Sequence, residues 1–162
     1  MRKLIALTVL ALAAPLAAKD DLGVFSDWGA FRDPSVPRCY AIAVPEASRL
    51  SRDFSPFATI ATWPRRNLRG QVHFRLSRRL ATNGAITLQI GNRSFRLTGG
   101  GGDAWARDRT MDATIVAAMR SASRMTIRAS DTRGRRFSNT YSLSGAATAM
   151  DAATLACARL GR

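Results

Sequence analysis

The sequence predicts a mainly β fold, an antiparallel β-sandwich or barrel with one short helix and a C-terminal helix. Most of the chain consists of short runs in which apolar and polar residues alternate, and turn-forming residues separate these runs. Only two segments, residues 110–122 and the alanine-rich residues after Gly145, have the residue spacing of a helix. Strands and helices do not alternate regularly, as they would around a parallel sheet. We therefore expect about eight strands and two helices, without an internal repeat or a domain linker.

A secretory signal peptide is predicted over residues 1–18. Two basic residues precede an apolar run over residues 4–12, and small residues end the segment at Ala18, which is the pattern of such a signal. Cleavage after Ala13 and an uncleaved anchor are the alternatives. We expect residues 19–162 to form a single domain exported to the periplasm, associated with the envelope or secreted. No stretch has the roughly 20 apolar residues that a membrane span needs, so no transmembrane segment is expected.

Strands are expected through the first half of the exported chain. Residues 24–32 carry three aromatic side chains, and residues 39–44 are apolar on both faces, as in a central strand. After a polar loop, residues 57–63 form another strand candidate, which ends before Pro64. Apolar and polar side chains alternate over residues 71–77, and this period of two predicts one buried and one exposed face.

A β-hairpin is the clearest local feature of the sequence. Apolar residues alternate over residues 86–90 and again over residues 95–97, and Gly91-Asn92 forms the two-residue turn between them. Such a turn needs positive φ angles, which this pair supplies. Residues 99–102 are all glycine and are interpreted as a flexible break. They do not predict a phosphate-binding loop, because no lysine with serine or threonine follows them.

The second half of the chain is expected to contain both helices. Residues 110–122 have helical spacing, with Asp108, Thr110 or Asp112 as the N-cap. Two further strands are expected around residues 125–128 and residues 137–143. One buried stripe is predicted on the C-terminal helix, formed by Met150, Ala153, Cys157 and Leu160.

Cys39 and Cys157 are the only cysteines, and in an exported chain such a pair predicts a disulfide. The bridge would join an early strand to the C-terminal helix and constrain the unfolded chain by roughly 4–5 kcal/mol. Two cysteines and one histidine do not make a structural zinc site, which normally has four such ligands. We expect no metal and no cofactor.

The exported chain is strongly basic. After residue 18 it carries 23 basic and 11 acidic residues, and Lys19 is its only lysine. A net charge of about +12 attracts anions such as phosphates, lipid headgroups and acidic polymers. A GC-rich genome would favour arginine over lysine, but it would not explain the shortage of acidic residues.

Arginines form the only candidate binding set. If their strands are neighbours, those on exposed strand faces and turns would make a basic stripe suited to bidentate contacts with phosphate or carboxylate. The predicted anion-binding residues are Arg65, Arg66, Arg69, Arg75, Arg78, Arg79, Arg96 and Arg128, and Arg133, Arg135 and Arg136 flank a later turn. A solvated surface without a dedicated ligand is the alternative. No nucleic-acid partner is expected, because the aromatic residues lie on predicted buried faces and the chain is exported.

No residue pattern indicates catalysis. His73 is the only histidine and Glu46 the only glutamate. An acyl-transfer site needs a base beside a nucleophile, and no Gly-x-Ser-x-Gly elbow is present. Glycoside hydrolysis needs two facing carboxyl groups, whereas the aspartates lie mostly at predicted turns and caps. We do not expect an enzyme.

The order and spacing of several segments resemble the invasion-associated locus B family of bacterial exported proteins. The segments are Trp28, Cys39-Tyr40-Ala41 with Pro45, residues 86–97, Ala104-Trp105, residues 115–120 and residues 140–145. The resemblance implies a β-rich periplasmic or envelope-associated domain, in a family named for a role in host-cell entry in some pathogens. The family has no agreed catalytic residues to transfer. Its paired cysteines correspond to Cys39 and Cys157, whereas the additional cysteines near the front of some relatives are absent here.

We therefore expect an exported, non-catalytic envelope or periplasmic protein of the invasion-associated locus B type, which binds a partner or supports the cell envelope. The partner is an unidentified protein or an anionic envelope component. The alternative is a module that binds lipopolysaccharide or acidic polymers through its surface arginines.

Overall fold

Ten strands form one antiparallel sheet within residues 19–158, the part of the chain that the computed structural model describes. The strands are β1 (Asp20–Phe25), β2 (Trp28–Asp33), β3 (Arg38–Ala43), β4 (Phe57–Trp63), β5 (Leu68–Arg75), β6 (Ile86–Ile90), β7 (Arg93–Gly100), β8 (Asp103–Trp105), β9 (Arg124–Ser130) and β10 (Arg136–Ser142). Their order across the sheet is β1-β2-β3-β4-β5-β8-β7-β6-β9-β10. The mainly β class is confirmed, and the predicted signal peptide lies outside the described residues.

The sheet curls so that the inward faces of its two halves share one hydrophobic core. Trp28 on β2 is fully buried, and its indole Nε1 donates a hydrogen bond to the carbonyl oxygen of Ser142 on β10 at 2.9 Å. The rings of Phe74 and Tyr141 lie 6.1 Å apart across the same core. These contacts join strands from the two halves of the sheet. The outward faces of the two halves take no part in these contacts.

The two predicted helices are present. Helix α1 (Arg109–Met119) packs on β5 and β6, and the Asp108 carboxylate caps it by accepting a hydrogen bond from the backbone N–H of Met111 at 2.8 Å. Helix α2 (Ala146–Ala158) packs across β1–β4. Its buried face is mostly alanine, which provides little apolar area per residue.

The predicted disulfide is confirmed, because Cys39 on β3 is bonded to Cys157 near the end of α2. Both cysteines are buried, so the bridge lies between the helix and the sheet. Of the predicted stripe on this helix, Met150, Ala153 and Cys157 are buried, and Leu160 lies outside the described residues.

Two segments differ from the expected strand pattern. Residues 24–32 are not one strand, because the chain turns at Ser26 (φ 54°) and forms the β1–β2 hairpin. Residues 99–102 are not a flexible break, because they continue β7 into a tight hairpin with β8. A Cβ on Gly99 would overlap the carbonyl oxygen of Asp103, so glycine lets β8 approach closely. These two hairpins account for ten strands where about eight were expected.

Candidate anion-binding site

The eight arginines predicted to bind anions lie in separate environments. Three of them, Arg65, Arg66 and Arg69, are exposed around the single 3₁₀ turn Pro64–Arg66 and the start of β5. The guanidinium of Arg66 lies 4.8 Å from the centre of the Trp63 ring. This cluster is therefore a basic turn beside an aromatic side chain.

Arg75 lies on the outward face of β5, in a network of charged and aromatic groups. Its guanidinium pairs with the Asp103 carboxylate and lies 3.9 Å from the centre of the Phe54 ring. The same carboxylate lies 3.0 Å from Nε2 of His73, whose ring stacks on Trp105 with centroids 5.2 Å apart. Within the described part of the chain, no Ser, Thr or Cys side chain is hydrogen-bonded to His73.

Arg78 is buried and serves the fold, which corrects its place in the predicted anion-binding set. Its side chain is only 7 % exposed. One guanidinium nitrogen donates to the Asp131 carboxylate at 2.7 Å, and another donates to the Ser51 hydroxyl at 3.1 Å. An arginine paired in this way is not available to a ligand in solution. The neighbouring Arg79 is exposed.

Arg96 and Arg128 are brought together on the outward face of the second half of the sheet. Thr87 on β6 is the cross-strand partner of Arg96 on β7 and also of Arg128 on β9. Cross-strand partners project from the same face of a sheet, and two strand spacings place the two arginine backbones about 10 Å apart. Ser138 on β10 is opposite Arg128 and extends this face. The predicted basic stripe therefore exists for these two arginines, but the other six lie elsewhere.

A groove of about 460 Å³ lies on this outward face. We call it the basic groove, and its lining residues are Leu50, Ala85, Thr87, Arg128, Ala129, Ser130, Arg136, Phe137 and Ser138. Arg136 is the diagonal neighbour of Arg128 across the β9–β10 pair, since Arg128 pairs with Ser138. Among the described residues, no carboxylate lines the groove. Within residues 19–158, neither of its arginines has an ion pair.

The side chains of the basic groove suit an anionic ligand. Two guanidinium groups can each form paired hydrogen bonds with a phosphate, sulfate or carboxylate, and the hydroxyls of Thr87, Ser130 and Ser138 add short-range polar contacts. Leu50 is 52 % exposed and provides an apolar edge. Because the groove is open to solvent, its attraction for anions falls with salt, over a screening length of about 8 Å at physiological ionic strength.

From the sequence, Arg136 is expected only to flank a turn, and Leu50 and Ser138 are not expected at a binding site. A signal for two of them exists, because Arg136 and Ser138 alternate along β10 with the buried Phe137 and Asn139. Leu50 gives no such signal, since it reaches the groove from the loop between β3 and β4.

Residues 19–158 contain no candidate metal site and no candidate membrane-spanning helix. No three His, Cys, Asp or Glu side chains there are grouped as a metal ion would require. Neither described helix is long and apolar enough to cross a membrane.

The chain was compared with the sequence patterns of known protein families. The sequence pattern of the family described as "Invasion associated locus B (IalB) protein" matches residues 58–154, more than half of the chain. The chain belongs to the invasion associated locus B family. The expected resemblance is confirmed, and the match extends from β4 into α2, so it includes every lining residue of the basic groove except Leu50. No curated protein and no solved structure matches the chain.

Proposed function

We propose that this invasion associated locus B protein is an exported, non-catalytic envelope protein. In this proposal the basic groove binds an anionic envelope component, either lipopolysaccharide or another acidic polymer. The observation that carries the proposal is the diagonal placement of Arg128 and Arg136 in a groove whose described lining includes no carboxylate, with Arg96 two strands away from Arg128 on the same face. Uncompensated guanidinium groups that lie close together are favourable to a ligand carrying several negative charges.

Export is supported by two independent features. Residues 1–18 have the composition of a secretory signal. Cys39 and Cys157 form a disulfide, and such bonds persist in oxidising compartments such as the periplasm. A wider prediction, that the protein binds a protein partner or supports the envelope, is compatible with the same location.

A non-catalytic role is supported by the contacts of the titratable groups. Asp108 caps a helix, Asp131 holds a turn and Asp33 accepts hydrogen bonds from Ser35 and Val36. These carboxylates satisfy backbone and neighbouring side-chain donors, which is a structural use. The His73–Asp103 pair has no hydroxyl or thiol bonded to it within residues 19–158.

The proposal is tested by binding to neutral phosphatidylcholine vesicles with and without lipopolysaccharide. We expect the wild-type protein to bind only the vesicles that contain lipopolysaccharide, with an affinity that falls as salt rises. Arg128→Gln/Arg136→Gln should weaken binding at least about tenfold, because hydrogen bonds to charged groups are each worth about 1.5–3 kcal/mol. Arg107→Gln/Arg109→Gln removes the same charge outside the groove and should change affinity no more than about twofold.

Three outcomes would contradict the proposal. One is binding that does not depend on salt, and another is an equal loss of affinity in both double variants. A third is a selective loss in Arg65→Gln/Arg66→Gln, which would move the ligand to the 3₁₀ turn. Circular dichroism of each variant checks that the fold is intact.

A further inference from the structure

A second groove lies next to the basic groove, between the loop after β3 and the turn that joins β9 to β10. Its volume is about 530 Å³. We call it the turn groove, and its lining residues are Ser51, Asp53, Phe54, Arg79, Asp131, Thr132, Arg133 and Arg135. Three of the eight are arginines, and two hydroxyl side chains accompany them.

Asp131 fixes the turn that forms one wall of this groove. It is 3 % exposed, and one of its carboxylate oxygens accepts hydrogen bonds from the backbone N–H groups of Arg133 and Arg135, each at 2.9 Å. The other oxygen accepts hydrogen bonds from the side chains of Arg78 and Arg135. Burial alone would raise the pKa of Asp131, but these hydrogen bonds outweigh it and hold the pKa well below its ordinary value. The charge of this carboxylate is therefore used within the protein.

Arg79 and Arg133 face the groove from its two walls, and carboxylates hold their backbones. The backbone N–H of Arg79 donates to Asp53 at 2.9 Å, as that of Arg133 does to Asp131. Neither guanidinium has an ion pair within residues 19–158. The backbone positions of the two arginines are thus held by hydrogen bonds before a ligand arrives, so binding need order only their side chains.

The linings of the two grooves meet at adjacent residues in three segments of the chain. The basic groove ends at Leu50, Ser130 and Arg136, and the turn groove begins at their neighbours Ser51, Asp131 and Arg135. From Arg128 to Asp131 the extended chain advances about 10 Å. A ligand that occupies both grooves must therefore be longer than a single phosphate or sulfate group.

We propose that the two grooves form one track for an acidic polysaccharide, in which Arg128 and Arg136 hold one acidic group and Arg79 and Arg133 hold another farther along the same chain. This inference rests on the proposed function and specifies its ligand as a polymer. Serine and threonine hydroxyls line both grooves and suit the hydroxyl groups of sugars.

The aromatic side chains of the track favour a polysaccharide over a nucleic acid. Binding of single strands usually relies on bases that stack on exposed aromatic rings. Of the two aromatic lining residues, Phe137 is buried, and the Phe54 ring has the guanidinium groups of Arg75 and Arg79 at 3.9 and 5.7 Å from its centre. Of these two rings, one is therefore buried and the other already contacts guanidinium groups.

The experiment measures the affinity of heparin-derived oligosaccharides of two lengths, a disaccharide and a decasaccharide. We expect the wild-type protein to bind the decasaccharide at least about tenfold more tightly, because the second subsite then binds within the same molecule. Arg79→Gln/Arg133→Gln should remove this advantage while changing the affinity for the disaccharide no more than about twofold. Arg107→Gln/Arg109→Gln, which lowers the charge equally, should keep the advantage.

Equal affinity for the two lengths would overturn the track, as would a length advantage that survives in Arg79→Gln/Arg133→Gln. A single-stranded oligonucleotide that binds as tightly as the decasaccharide would overturn the choice of a polysaccharide. Failure of the proposed function gives a different result, because Arg128→Gln/Arg136→Gln would then leave binding of both oligosaccharides unchanged.

Discussion

Breaking the Cys39–Cys157 disulfide is expected to lower the free energy of unfolding by roughly 4–5 kcal/mol. The bridge joins residues 118 positions apart, so it restricts most of the unfolded chain. It also holds α2, whose buried face is mostly alanine, against β3. A helix with so few large apolar side chains has little other apolar surface to keep it in place.

Urea unfolding of the oxidised protein, the reduced protein and Cys39→Ala/Cys157→Ala measures this effect. The reduced protein and the double variant should unfold at similar, much lower urea concentrations. A loss below about 1 kcal/mol in both would contradict the expected role of the bridge. Alanine is preferred to serine in the variant, because both sites are buried and a hydroxyl there would need a hydrogen-bond partner.

Gly145→Ala is expected to lower the free energy of unfolding by about 3 kcal/mol or more. Gly145 has φ of +82°, where a residue with a side chain is strained, and a Cβ there would overlap the carbonyl oxygen of Phe25. The β1–β2 turn would have to move away from the end of β10. That movement would weaken the hydrogen bonds that Trp28 and Asp27 donate to Ser142 and Ser144.

Gly134→Ala is the matched control for this prediction. Gly134 also has a positive φ, +74°, but nothing lies within 4 Å of the Cβ that alanine would add. Alanine there should lower the free energy of unfolding only through backbone strain, by about 1–2 kcal/mol. The difference between the two variants in thermal unfolding isolates the overlap with Phe25. Equal losses would show that the contact between the β1–β2 turn and the end of β10 contributes little.

The close approach at Gly145 also gives a physical reason for one of the family resemblances. Residues 140–145 include the end of β10 and Ser142, whose carbonyl oxygen accepts the hydrogen bond from the Trp28 indole. They also include Gly145, where the absence of a side chain leaves room for the β1–β2 turn. Each of these features limits which residues the segment can contain. Trp28, which also carries the resemblance, contacts this segment directly.

Features that depend on neighbouring residues could be predicted from the sequence. The hairpin over residues 86–97 follows from the alternation of apolar residues around Gly91, and Asp108 caps α1 because its side chain reaches the third backbone N–H beyond it. The disulfide followed from the number of cysteines and the predicted compartment. Arg96 and Arg128 alternate with apolar residues along their strands, and this alternation predicts that both lie on an exposed face.

Features that depend on distant pairing could not be predicted. Arg78 looks like an exposed arginine after a strand, but Asp131, which pairs with it, is 53 residues away. The basic groove requires β9 to lie beside β6, and the sequence alone does not give the order of strands in a sheet. The reason for a glycine at position 99 is the close approach of β8, and the sequence alone does not show that approach.

Backbone-amide NMR shifts during titration with the heparin-derived disaccharide show which residues an anion contacts. We expect the largest shifts at Thr87, Arg128 and Ser138 in the basic groove, and we expect these shifts to shrink in Arg128→Gln/Arg136→Gln. Largest shifts at His73 and Trp105 on the outward face of β5 and β8, with the basic groove unchanged, would contradict this expectation.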